Sequence, residues 1–176
     1  MIREVEITRE DIEGAKARAK EFRRISKDSF LHGKGNAMGL LGERLVEKYT
    51  GAKFAESNKD FDVWLNGKRV EVKTKRCWSP PKPYYNCSVY ITSDHQQCDA
   101  YIFVRIQFDK VTKKVVKGWI MGQIDRDEFY ANAVIDKRGE IDPNSTQTHA
   151  YDYPKDCRNL PANRIYDVEI EGVVAP

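Results

Sequence analysis

A chain of 176 residues is long enough to bury a hydrophobic core without disulfides or a structural metal. Its 40% hydrophobic and 32% charged residues are ordinary for a globular domain, and nowhere do about 18 apolar residues run together, which excludes a membrane-spanning helix. The net charge of +3 permits a nucleic-acid partner without requiring one, so an electrostatic argument must rest on where the charges sit. The start, Met1-Ile-Arg-Glu-Val-Glu-Ile7, is charged and has no apolar signal core, so a cytoplasmic location is expected, in a bacterial cell or a phage-infected host. Cys77, Cys87, Cys98 and Cys157 show no C-x-x-C spacing and read as reduced thiols. With three scattered histidines they also lack the short loops that place zinc ligands.

Thr8-x-x-Asp11 predicts a capping box, with Asp where Glu is usual. Ile12, Ala15, Ala19, Phe22 and Ile25 then recur at three- and four-residue steps, predicting an amphipathic helix over 9–26. Its other face carries Lys16, Arg18, Lys20, Arg23 and Arg24, a solvated face or a phosphate-facing one. After the turn His32-Gly-Lys-Gly35, Asn36 can cap a second helix that stops at Thr50-Gly51. Met38, Leu41, Leu45 and Tyr49 form its main apolar stripe. Gly39 and Gly42 lie round from it, beside Glu43 and Val46, and predict close packing on a second face.

Strand-like runs follow at 52–55, 61–65, 69–74, 87–92, 100–107 and 115–121, with late strands expected at 148–153 and 164–170. Short helical turns are expected at 93–97 and 125–133, and 136–147 reads as loop. Helices first, then a hairpin, then mixed strands predict an α/β protein with a sheet of mixed direction. One domain is expected: an N-terminal helical segment over 1–35, a core over 36–122 and a C-terminal elaboration over 123–176.

Asn66-Gly67 between two alternating runs is a strong hairpin signal, because a type I′ turn needs positive φ at both central positions. Counting outward pairs Leu65 with Lys68, Trp64 with Arg69, Val63 with Val70 and Asp62 with Glu71. Phe61, Val63, Leu65, Val70 and Val72 then share a core face, with Lys68 beside the turn. Asp60, Asp62, Trp64, Arg69, Glu71 and Lys73 share the other. Two carboxylates about 5 Å apart destabilise a sheet unless a cation lies between them. Magnesium suits such a pair, because it takes one or two carboxylates, keeps waters and accepts phosphate oxygens. Lys73, two residues beyond Glu71, could hold or polarise the attacking water, and the set fits metal-assisted phosphodiester hydrolysis. The bare pattern, an Asp followed by Glu-x-Lys, arises by chance about once in so charged a chain. Its weight therefore comes from the hairpin geometry and from the helix that offers Glu43.

Gly39-Leu-Leu-Gly-Glu43, Asp60-Phe-Asp62-Val-Trp and Val70-Glu-Val-Lys-Thr74, in that order, resemble the PD-(D/E)XK, or restriction-endonuclease-like, nuclease superfamily and its small phage and bacterial members. The resemblance covers 36–75, extends loosely to the run Asp99–Arg105, and ends before residue 122. It implies a restriction-endonuclease-like mixed sheet flanked by helices, with a Mg2+ cofactor for which Mn2+ can substitute. It also implies Asp62 and Glu71 as metal ligands with the Val72 carbonyl, Lys73 as the catalytic lysine, and Glu43 as a helix acid serving a second metal or a water. No proline precedes Asp62, and Asp60 is a rival for the first acid, although the hairpin count favours Asp62. Gln97-x-x-x-Tyr101 matches a motif of exonuclease-type members only superficially, since Tyr101 is expected to start a strand.

Lys68, Arg69, Lys75 and Arg76 form a basic cluster, of which Arg69, Lys75 and Arg76 are the candidate DNA contacts. Trp78, Tyr84 and Tyr85 could stack on bases or belong to an ordinary loop. His95 could be a general acid or simply structural, and Lys113-Lys114 reads as a hairpin tip. The expected activity is hydrolysis of DNA by an endonuclease, with a homodimer suited to double-strand cuts. The competing expectation is a nuclease-fold binding or assembly module without catalysis, and an RNA substrate is a third.

Overall fold

The computed structural model describes residues 2–25, 36–55, 60–143 and 152–170. The turn at 32–35, residues 148–151 of the first late strand, and the side chains of Phe22, Arg23, Arg24, Ile25 and Asn36, with the expected Asn36 cap, lie outside what is described. In chain order the elements are β1 (Arg3–Val5), α1 (Arg9–Ile25), α2 (Asn36–Thr50), β2 (Lys53–Phe54), β3 (Val63–Leu65), β4 (Lys68–Cys77) and β5 (Asn86–Tyr90). They continue with β6 (Ala100–Phe108), β7 (Val115–Asp125), α3 (Arg126–Asn132), β8 (Val134–Asp136) and β9 (Cys157–Pro161).

The protein is a mixed α/β structure. A six-stranded sheet runs β1-β7-β6-β4-β3-β2, with β4 and β6 parallel and the other neighbours antiparallel. A second sheet of three antiparallel strands runs β5-β9-β8. One face of the large sheet packs Val63, Val70, Val72, Ile102 and Val104 against Leu41, Leu45 and Val46 of α2, with Ala15 and Ala19 of α1 outside them. The other face packs Tyr101, Phe103 and Met121 against Phe129 of α3 and against Val89 and Leu160 of the small sheet.

The start of α1 forms the predicted capping box: Thr8 N–H and Thr8 Oγ1 donate to Asp11 Oδ2 at 2.9 and 2.8 Å, and Asp11 N–H donates to Thr8 Oγ1 at 3.2 Å. Asp11 also receives Arg44 Nε at 3.1 Å and Lys48 Nζ at 3.0 Å, which ties α1 to α2. The α2 helix is sandwiched between α1 and the sheet. A Cβ placed on Gly42 would overlap Thr74 Oγ1 and approach Thr74 Cβ to 3.0 Å, so α2 meets β4 closely there. Gly39 has open space around it and contributes nothing to that contact, contrary to the expectation for the pair.

The C-terminal part departs most from the expected elements. Residues 164–170 form no strand, and Tyr166 makes only an isolated bridge to Gln123; Asp152 likewise bridges Ile141. The actual late strand is β9, Cys-Arg-Asn-Leu-Pro, central in its sheet. Its buried Asn159 donates to Asp136 Oδ2 at 2.6 Å, a polar group inside that periodicity does not anticipate. No strand is expected from the sequence at Val134–Asp136, which forms β8 and overlaps the expected loop at Asp136, and β1 is too short to show alternation.

Candidate active site

Asn66 and Gly67 have φ of 49° and 77°, the left-handed values that a tight two-residue turn requires. The ladder pairs Leu65 with Lys68, Trp64 with Arg69 and Val63 with Val70, and stops there. Asp62 does not pair squarely with Glu71: its N–H donates to the Val70 carbonyl at 3.0 Å, and its Oδ2 accepts Val72 N–H at 2.8 Å. This irregularity breaks the alternation. Phe61, expected on the core face with Val63, lies on the opposite side, edge-on to Trp64 at 4.9 Å and against the second core cluster.

Glu43, Asp62 and Glu71 are all buried, on α2, just before β3 and on β4. Asp60 is exposed at the bend before them. Burial pushes the Asp62 carboxyl well above the usual range, and the charges of Glu71 and Glu43 push it further, against the Val72 N–H and Lys73. Burial likewise raises Glu43 to about 7, with Arg18 opposing and Glu71 adding to the shift. Glu71 thus sits close enough to oppose the ionisation of both Asp62 and Glu43, and Glu43 adds to the effect on Asp62. Glu43 Oε2 and Glu71 Oε2 are buried with no hydrogen-bond partner among the described residues.

The other oxygen of Glu71 is fully engaged. Lys73 Nζ and Gln96 Nε2 each donate to Glu71 Oε1 at 2.8 Å, and Lys73 Nζ also donates to Gln96 Oε1 at 2.8 Å. Gln96 closes this triangle from the loop after a short 3-10 turn at Ile91–Ser93. Sequence reasoning missed it, because a glutamine in a loop carries no spacing signal. Its neighbour Gln97 is exposed, and Tyr101 starts β6 with its hydroxyl 3.1 Å from that of Tyr130.

The basic candidates divide. Arg69 is committed to Asp99, with Nη2–Oδ1 at 2.6 Å and Nε–Oδ2 at 3.1 Å. Arg76 lies over the Phe108 ring at 4.5 Å, near the exposed Trp78 and away from the acids along β4. Lys75 stays on the Glu71–Lys73 face and donates to Ser88 Oγ at 3.1 Å. His95 is exposed on the turn before Gln96, and Tyr84 is exposed against the ring of Tyr85. On α1, Lys16 pairs with Glu13, and Arg18 covers the Phe54 ring at 3.6 Å. Lys113, with φ of 56°, sits in the β6–β7 turn as expected of a hairpin tip.

Among the described residues no group of three or more His, Cys, Asp or Glu is gathered closely enough to form a ready metal cage. Magnesium needs no such cage, since one or two carboxylates with waters suffice. Two orphaned buried carboxylate oxygens among mutually repelling acids are the donor set that a hard cation satisfies. All four cysteines are buried free thiols, and no described helix is long and apolar enough to cross a membrane. No protein-family model and no curated protein matches this sequence.

Proposed function

We propose that this protein is a magnesium-dependent nuclease of the restriction-endonuclease-like, PD-(D/E)XK kind that cuts DNA internally. The observation that carries the reading is the unpartnered Oε2 of Glu71, buried beside Asp62 and Glu43 while Lys73 holds the other oxygen. The order of a helix bearing Glu43, a hairpin bearing Asp62 and Glu71, and a parallel neighbour β6 supports the fold assignment.

Asp62 and Glu71, with the Val72 carbonyl, would hold Mg2+, or Mn2+ in its place. When bound, the ion would polarise the scissile phosphate and lower the pKa of a coordinated water. Lys73, one-fifth exposed and fixed by Glu71 and Gln96, presents its ammonium to hold and orient the attacking water. Gln96 keeps that lysine on one side of Glu71, which leaves Oε2 for the metal side. Glu43, with its pKa raised to about 7, can accept a proton or orient a water near neutral pH.

Incubation with supercoiled, linear and branched DNA, and with RNA, in Mg2+, Mn2+ or chelator tests the reading. Supercoiled DNA should be nicked or linearised in either metal and left intact in chelator. Asp62→Asn and Lys73→Ala should each lose about 10^2–10^3-fold or more in rate while folding normally. Undiminished cleavage in both variants would sink the site. A wild-type protein that binds DNA but cuts nothing would support the binding module instead, and preferential RNA cleavage would replace the substrate.

A further inference from the structure

Beyond Lys73 the same face of β4 enters a pocket between the two sheets. It measures about 120 Å³, and its lining includes Lys73, Lys75, Ser88, Ser93 and Arg105, with no acidic residue among the described ones. Lys75 and Arg105 are direct partners in the parallel β4–β6 register, so two cations are set side by side at its wall. Like charges placed this way oppose each other. Burial and the Arg105 charge together lower Lys75 to about 8, with Asp142 and the thiols of Cys157 and Cys87 only partly offsetting them. Arg105 uses Nη2 on the Asn86 carbonyl at 2.7 Å, and its guanidinium carries other donors. A water needs about 10–15 Å³ of such space, so the pocket has room for a polyatomic group.

We infer that this pocket is an anion subsite for a phosphate group of the substrate strand, with Lys75, Arg105 and Ser88 as its donors. An anion there turns the Lys75–Arg105 repulsion into two attractions, and phosphate oxygens accept from guanidinium, ammonium and hydroxyl together. Two residues along a strand advance about 7 Å, so the subsite lies one step along the chain from Lys73. The identity of the strand rests on the nuclease reading, whereas the binding of phosphate does not. An internal phosphodiester and a terminal monoester share this chemistry.

The full chain, free of divalent metal, is titrated with inorganic phosphate. It is then titrated with a single-stranded DNA oligonucleotide carrying a 5′-phosphate, a 3′-phosphate or hydroxyl ends. Phosphate should bind saturably. Lys75→Met, which keeps length and removes charge, should weaken it tenfold or more, and Ser88→Asp should abolish it. A tenfold preference for one phosphorylated end assigns a terminal group. Equal affinities that all fall in Lys75→Met assign an internal one. Absence of phosphate binding, or wild-type binding in both folded variants, overturns the subsite. Loss of phosphate binding in Lys75→Met, in a protein that cuts no nucleic acid, upholds the subsite and removes the nuclease. Cleavage by Lys75→Met with unchanged KM does the reverse.

Discussion

Asp11 and Asp62 are both buried aspartates near helix α2, and their surroundings push them in opposite directions. Burial raises the Asp11 carboxyl, but donors from Thr8, Lys48 and Arg44 outweigh it and hold the group at about 2. Asp62 receives one backbone donor and faces Glu71 and Glu43, so it is pushed well above the usual range. The first carboxylate is complete without anything further and fastens two helices. The second belongs to a set of acids that the fold leaves uncompensated, the condition of a site that expects an outside charge. Burial alone therefore does not decide whether an acid is compensated; the donors around it do.

The strongest test of this contrast is Asp11→Ala. It removes the capping box and two charged hydrogen bonds, and should destabilise the protein by about 3 kcal/mol. In a chain of this size that lowers Tm by roughly 6–12 °C, while cleavage per folded molecule stays unchanged. If Asp11→Ala impaired chemistry as severely as Asp62→Asn, the division between the two centres would fail.

Magnesium should act on one centre only. At a hundredfold excess over Kd it should stabilise wild type by about 2.7 kcal/mol in thermal unfolding, Asp11→Ala by the same amount, and Asp62→Asn hardly at all. Equal stabilisation of Asp62→Asn would place the ion elsewhere.

The pH dependences should oppose each other. Asp11, lowered when folded, contributes stability above its unfolded pKa near 4 that is lost as pH falls toward 2. Glu43, raised to about 7 when folded, binds more protons in the native state, so it removes stability as pH rises from its unfolded value near 4.5 through 7. Glu43→Gln should therefore stabilise the metal-free protein at pH 8 by about 2 kcal/mol and flatten the profile between those values. An unchanged denaturation profile would show that Glu43 is not held among the other acids.

The smallest effects concern the contact that brings α2 onto β4. Gly42→Ala meets Thr74 and should cost about 1–2 kcal/mol, relieved by Thr74→Ala, which removes the Oγ1 that the new Cβ overlaps. Gly39→Ala, in open space, should stabilise by about 0.5–1 kcal/mol. Denaturant midpoints for the two variants should move in opposite directions.

Local chemistry made much of this molecule legible. The capping box at Thr8 and Asp11, the extents of α1 and α2, and the hairpin at Asn66-Gly67 depend on residues within a few positions of one another. Phe61 was misplaced because alternation assumes a regular ladder, and the Asp62 N–H goes instead to Val70. The small sheet was only partly visible, because β9 and β5 are distant in the chain and β9 carries a buried asparagine and a terminal proline. Arg69 read as a free cation in a basic cluster, and nothing nearby in sequence announces that Asp99 occupies it.

By itself the sequence determined which residues could carry acid, base and turn chemistry, and the hairpin that sets Glu71 and Lys73 on one face, since strand period and turn sterics are local. Only the tertiary structure decided that Glu43 is buried among those acids, that Gln96 bridges Glu71 and Lys73, and that Lys75 and Arg105 share a pocket. Those outcomes depend on which distant side chains supply or withhold hydrogen bonds and charge, and no periodicity encodes that.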